Sequence, residues 1–244
     1  MGAAVIAVAM SSCSGRQRAK NSGGNTPVQE LSGTYTGTLP CASCPGIETR
    51  VDLNSDLTYT IQTRYIGRSD EVSTQSGAFK WDSGNSTLTF DSQLLGQCLL
   101  EGNTLYVLVD GRKNTGQNAE NYMLVKVDQD LVEKYWKLIE LHGNPVTPAN
   151  GSKEAHITFH IDGNRFSGDA GCNRIMGSYQ TRENYRIAFS QTAATQMMCI
   201  DMEIESNFLQ VLETADSYLV QNDTLTLNRA RMAPLARFIV VYLR

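Results

Sequence analysis

Between Gly33 and Val127, apolar and polar residues alternate in short runs. In I47-E-T-R-V-D-L, Ile47, Thr49, Val51 and Leu53 fall on one side, and Glu48, Arg50 and Asp52 on the other. Y35-T-G-T-L, L57-T-Y-T-I-Q-T-R-Y, G77-A-F-K-W, S86-T-L-T-F, T104-L-Y-V-L-V and N121-Y-M-L-V-K-V read the same way. Turn-forming clusters such as N54-S-D and D82-S-G-N separate them. A strand turns successive side chains to opposite faces, so a period of two with regular turns predicts antiparallel strands in a barrel or sandwich.

After Asp130 the pattern changes. L131-V-E-K-Y predicts one helical turn before a strand, W136-K-L-I-E-L. H156-I-T-F-H-I and N164-R-F-S-G-D predict a hairpin around D162-G. From Asp201 to Thr214, Ile204, Phe208, Val211 and Leu212 recur at helical spacing. Glu203 and Glu205 stand in the first turn of that helix, where the backbone dipole favours acids. Further strands are predicted at 217–220, 224–227 and 238–243. The expected fold is mainly β with one α-helix in the second half: a small antiparallel β-barrel, then a compact β-rich domain.

The apolar run from Ala3 to Met10 is too short to span a bilayer, which takes about 20 residues. Ser11 and Ser12 follow it, then Cys13. This arrangement resembles a bacterial lipobox, in which the signal is cut before the cysteine and that cysteine is lipidated. No Lys or Arg precedes the run, which departs from the usual signal peptide. Residues 14–30 have almost nothing to bury and predict a flexible tether. The expected organisation is a signal over 1–13, a tether over 14–30, and domains over 31–128 and 131–244. The mature chain is expected to be lipid-anchored outside the cytoplasmic membrane, where disulfides persist.

The 244 residues carry a formal net charge of −4. With no basic stripe and no aromatic stacking motif, nucleic acid is excluded as a partner. A G-x-S-x-G elbow and a Walker loop are both absent.

The chemistry centres on L39-P-C-A-S-C-P-G. A thioredoxin-type C-x-x-C sits at a helix N-terminus, which lowers the thiol pKa. Here Pro45, Gly46 and an alternating strand follow, so the activating helix is missing. Cys41 and Cys44 suit a soft ion such as Cu(I) or Zn(II). Structural zinc takes four ligands. Cys98 is the one further thiolate in this half, and no histidine lies there. Copper, content with two or three sulfurs, fits better. In an oxidising compartment the chemistry favours a disulfide bracing a tight loop, and a pair that binds copper when reduced stays open beside it. Six cysteines minus Cys13 leave five, an odd number. If Cys41 pairs with Cys44, Cys98 is an inert core thiol, a ligand or an exchange partner.

His156 and His160 lie on a predicted strand, about 13 Å apart at 3.3 Å per residue, too far to chelate one ion. They are expected on the surface, and His142 in a loop. Met197 and Met198 beside Cys199 form a soft-ligand run, although methionine more often fills core gaps. Trp81 and Trp136 are expected as core anchors. Turn geometry accounts for Gly168, Gly171 and Asn173 beside Asp169 and Arg174.

Two family resemblances add to this reading. G33-T-Y-T-G-T-L-P-C-A-S-C-P-G-I-E-T, L53-N-S-D-L-T-Y-T and Y122-M-L-V-K resemble the N-terminal domain of the NlpE family, envelope-stress and copper-linked outer-membrane lipoproteins. W136-K-L, F166-S-G-D-A-G-C-N-R-I-M-G-S-Y, T192-A-A-T-Q-M-M-C and E205-S-N-F resemble a META domain, also found in the HslJ family of stress-associated lipoproteins. The second resemblance implies that Cys172 and Cys199 are close enough to pair. Together they imply a non-enzymatic lipoprotein, anchored in the bilayer of the outer membrane through Cys13 and facing the periplasm. Its expected role is envelope-stress sensing or copper homeostasis through Cys41 and Cys44, with an envelope protein partner. No cofactor is required; a copper or zinc ion is the candidate. Two alternatives stand beside it: a lipocalin-like carrier with a hollow first barrel, and an adaptor whose C-x-x-C is only a staple.

Overall fold

The computed structural model describes residues 28–68, 70–147, 153–199, 202–230 and 233–242. Cys13 and the start of the tether lie outside the described residues. A short helix, α1 (Val28–Leu31), leads into eight strands: β1 (Gly33–Leu39), β2 (Ile47–Leu53), β3 (Thr58–Tyr65), β4 (Ser73–Asp82), β5 (Thr87–Phe90), β6 (Gln97–Glu101), β7 (Thr104–Val107) and β8 (Met123–Lys126). They form a closed antiparallel barrel in chain order. The seam closes where Thr36 pairs with Val125 and Tyr35 with Lys126. Gly37 stands at this seam because a Cβ there would sit 2.3 Å from the Met123 carbonyl oxygen.

The alternation in the sequence becomes the inside and outside of the barrel. Ile47, Thr49, Val51 and Leu53 of β2 are buried, while the residues between them are half-exposed. An eight-stranded barrel has an interior just wide enough for side chains or one small ligand. Here Tyr35, Tyr59, Ile61, Phe79, Leu88, Phe90, Leu105 and Leu124 occupy that interior. This filling argues against a carrier. Leu31 of α1 is buried with this core, and the Tyr35 hydroxyl donates to its carbonyl at 2.9 Å.

The second domain contains β9 (Tyr135–Leu141), the two-residue β10 (Asn144–Pro145), β11 (His156–His160), β12 (Arg165–Asp169), β13 (Arg174–Arg182), β14 (Arg186–Ala194), α2 (Glu203–Thr214), β15 (Ser217–Gln221), β16 (Thr224–Asn228) and β17 (Ala236–Val241). Its strands form one sheet in which β9 pairs with both β11 and β17, so the sheet curls back on itself. The apolar stripe of α2, Phe208, Val211 and Leu212, is buried in the resulting core. Trp136 is fully buried and its Nε1 donates to the Leu131 carbonyl at 2.7 Å. Trp81 is only half-buried against the barrel core.

The helical turn expected over 131–135 does not form. Leu131 and Val132 are buried in the second core instead, and Glu133 adopts a positive φ of 53°. Burying two adjacent apolar residues outweighs the weak helical preference of so short a segment. Residues 162–164 form a 3-10 turn, with Gly163 at φ 67°, between β11 and β12. This turn reaches the barrel: Thr36 Oγ1 donates to Asn164 Oδ1 at 2.8 Å, and Arg50 pairs with Asp162 at 3.4 Å. Arg182 pairs with Glu120 at 2.7 Å across the same junction.

Candidate functional site

The C-x-x-C segment is the loop between β1 and β2, at one rim of the barrel. Cys41 and Cys44 form a disulfide with their Cα atoms 5.3 Å apart. Both are half-buried and lean on the barrel core, while Ala42 and Ser43 between them are exposed. Gly46 lets the loop return to the sheet, since a Cβ there would lie 2.5 Å from Thr38 Cγ2. Its carbonyl accepts from the Ile66 amide at 3.0 Å, joining this loop to the one after β3. Arg68 of that second loop donates to Ser43 Oγ at 2.5 Å and to the Ser43 carbonyl at 3.3 Å.

Cys98 is fully buried inside the barrel on β6, and burial pushes its thiol up to about 12. A protonated thiol in an apolar core is a poor nucleophile and a poor metal ligand. Among the described residues, no three His, Cys, Asp or Glu side chains form a group able to hold a metal ion. His142 sits in a turn at φ 50°. His156 stacks on Tyr135 with centroids 4.2 Å apart, and His160 faces Glu133 and Ser167.

The second domain carries its own disulfide, Cys172–Cys199, beside a buried polar network. Glu205, 5% exposed, accepts from the Asn173 backbone amide at 2.9 Å and from Asn173 Nδ2 at 3.0 and 3.1 Å. Asn173 Oδ1 accepts from Thr195 Oγ1 and the Met197 amide, both at 2.7 Å. Asp169 accepts from the Gly171 amide at 3.0 Å and pairs with Lys153 at 3.1 Å. The G-D-A-G-C-N stretch is therefore a knot that ties β12, β13, the 195–199 loop and α2 together. Met198 projects from that loop at 98% exposure rather than filling the core, and Met197 at 48%. In the sequence, Glu205 carries only the signal of a helix-start acid; its pairing with Asn173 spans 32 residues and leaves no local trace.

A cleft of about 830 Å³ separates the outer wall of β1–β3 and β8 from the outer wall of β12–β14. Threonine, serine, glutamine and arginine side chains line it beside the apolar Ile66, Val72, Met123, Val125 and Ile161. Arg64 and Glu48 form an ion pair on its barrel side, and the hydrogen bond to Glu48 raises the Arg64 pKa further. Nothing in the sequence signals this cleft, because its two walls belong to different domains.

A closed barrel with a disulfide-bridged rim loop, joined to a helix-packed curled sheet with a second disulfide, defines a two-domain, disulfide-bonded β protein. Residues 35–129 match the NlpE N-terminal domain and residues 129–240 the META domain. The chain thus belongs to the NlpE N-terminal domain family in its first half and to the META domain family in its second. A candidate lipoprotein from Shewanella oneidensis is 36% identical, over 42% of this chain and 96% of its own, with a TM-score of 0.38. A DUF4847 family protein from Bacteroides vulgatus is 16% identical, over 45% of this chain and 93% of its own, with a TM-score of 0.33. The Cpx pathway activator NlpE from Escherichia coli is 16% identical, over 67% of this chain and 94% of its own, with a TM-score of 0.29. A search of curated proteins finds no match.

Proposed function

We propose that this chain is an envelope-stress lipoprotein of the outer membrane, acylated at Cys13 and facing the periplasm. It acts by binding and signalling to an envelope protein partner rather than by catalysis. The observation that carries this reading is the half-buried Cys41–Cys44 pair on the exposed rim loop of an NlpE N-terminal domain. The pair is the sensing element. A thiol reductant gives up two electrons and two protons to the disulfide and is itself oxidised to a disulfide. The two thiols then release their protons to water, and the two thiolate sulfurs bind a soft cation, Cu(I), which two sulfurs suffice to hold.

The test measures Cu(I) stoichiometry on the full chain, reduced and oxidised, beside Cys41→Ser/Cys44→Ser. The expected result is about one Cu(I) per reduced chain and loss of that ion in the double variant. A reduced wild-type chain that takes no Cu(I) would sink the copper reading and leave the staple. Radiolabelled palmitate incorporation, lost in Cys13→Ala, tests the anchor separately.

A further inference from the structure

At the mouth of the interdomain cleft lies a smaller recess lined by Glu48, Arg64, Ile66, Gly67, Arg68, Asp70 and Arg165. It is continuous with the cleft, because Glu48, Arg64, Ile66 and Arg165 line both. Three arginines from two domains therefore line one space. Arg64 and Arg68 come from β3 and the loop after it, and Arg165 from the first position of β12.

Their partners differ. Arg64 is engaged by Glu48 and, at 3.4 Å, by Asp70. Arg68 reaches only the neutral Ser43. Arg165 has no carboxylate partner among the described residues. Both acids of the recess pair with Arg64, so among the described residues Arg68 and Arg165 stand outside any ion pair and the recess keeps one net positive charge. In the rest of the cleft the cations are matched: Arg50 pairs with Asp52 and Asp162, and Arg182 with Glu120. The excess positive charge is concentrated at the mouth.

A guanidinium presents a rigid fork of donors that matches a carboxylate or a phosphoryl group, and such charge-assisted pairs are the strong ones. Ligand sites favour domain interfaces, and the cleft has the volume of such a site. Its walls expose polar and apolar surface in about equal measure, which suits a small organic body that carries both.

We propose that Arg68 and Arg165 form an oxyanion-binding site, and that its occupant is the phosphoryl or carboxylate group of a small organic anion whose body lies in the interdomain cleft. The site exists only when both domains are present, so it is a property of this two-domain arrangement. It also touches the rim loop: an anion that draws Arg68 away from Ser43 releases a brace on the Cys41–Cys44 segment.

Calorimetric titration of the full chain in phosphate-free buffer tests this, with inorganic phosphate and citrate as probes. Arg68→Gln and Arg165→Gln are the test variants, and Arg112→Gln, an exposed arginine outside the recess, is the control. Saturable one-site binding is expected, weakened about tenfold or more by either test variant and unchanged by the control. Phosphate binding with this sensitivity identifies the phosphoryl source, and citrate binding alone identifies the carboxylate source. No saturable heat with either probe, or binding that either test variant retains, overturns the proposal. Both side chains lie at the protein surface, and an unchanged melting temperature in probe-free buffer verifies that the variants are folded.

Discussion

Single residues in this protein do work that their local sequence does not announce. Glu205 illustrates it. A buried carboxylate is costly unless its oxygens are satisfied, and Asn173 satisfies them three times. Glu205→Ala leaves the buried Asn173 amide without its acceptor and Nδ2 with the Met197 carbonyl as its one oxygen acceptor. The expected loss is about 2–3 kcal/mol of stability, read as a lower denaturant midpoint. Asp91 gives a pH-dependent case. The Tyr59 hydroxyl donates to it at 2.5 Å, and this bond holds the Asp91 carboxyl below the usual carboxylate range. A depressed folded-state pKa stabilises the fold above the unfolded value of about 3.9, and that contribution is lost as pH falls through the lower folded value. Asp91→Asn is therefore expected to melt below wild type at neutral pH, with the gap closing in acid. A gap that persists unchanged in acid would refute this assignment.

At the level of elements, the rim loop depends on its neighbour as much as on its own disulfide. The segment from Pro40 to Gly46 is short, and Arg68 ties its exposed middle to the loop after β3. Removing that tie frees Ser43 and opens the disulfide to attack. Arg68→Ala is expected to speed reduction of Cys41–Cys44 by dithiothreitol about two- to tenfold, the weight of one ordinary hydrogen bond. Thiol trapping followed by mass spectrometry would record it; an unchanged rate would mean that the loop is held by its disulfide alone. The two loops are 25 residues apart in sequence, so the motif C-A-S-C-P by itself suggests an isolated hairpin tip.

Across the whole molecule, two separate cores lie on either side of a short connection around Asp128. The bonds between the domains, Thr36 to Asn164 and the ion pairs at Asp162 and Glu120, are few and largely exposed. Exposed ion pairs contribute little. Calorimetry is therefore expected to resolve two unfolding transitions. Cys172–Cys199 closes a loop between residues 27 apart, and such closure is worth about 3 kcal/mol. Cys172→Ser/Cys199→Ser is expected to lower the transition of the second domain and leave that of the barrel in place. A single transition that shifts as one unit would show that the domains are energetically coupled.

The alternation from Gly33 to Val127, the turn clusters and the stripe of α2 are local patterns, and local patterns are what a sequence states directly. The sequence by itself therefore determined the class of fold, the change of architecture near residue 130, and the two cysteine-bearing motifs. It passed over β6, whose Q97-C-L-L-E carries three apolar residues in succession and breaks the period of two. It left Cys41 and Cys44 undecided, because loop geometry rather than spacing sets the distance between them. It misread residues 131–135, where burial in a distant core overrode a weak local preference. The pairing of Glu205 with Asn173, the brace from Arg68 to Ser43 and the mouth of the cleft at Arg165 are contacts between remote segments. Chain folding alone brings such segments together, so only the tertiary structure decided them.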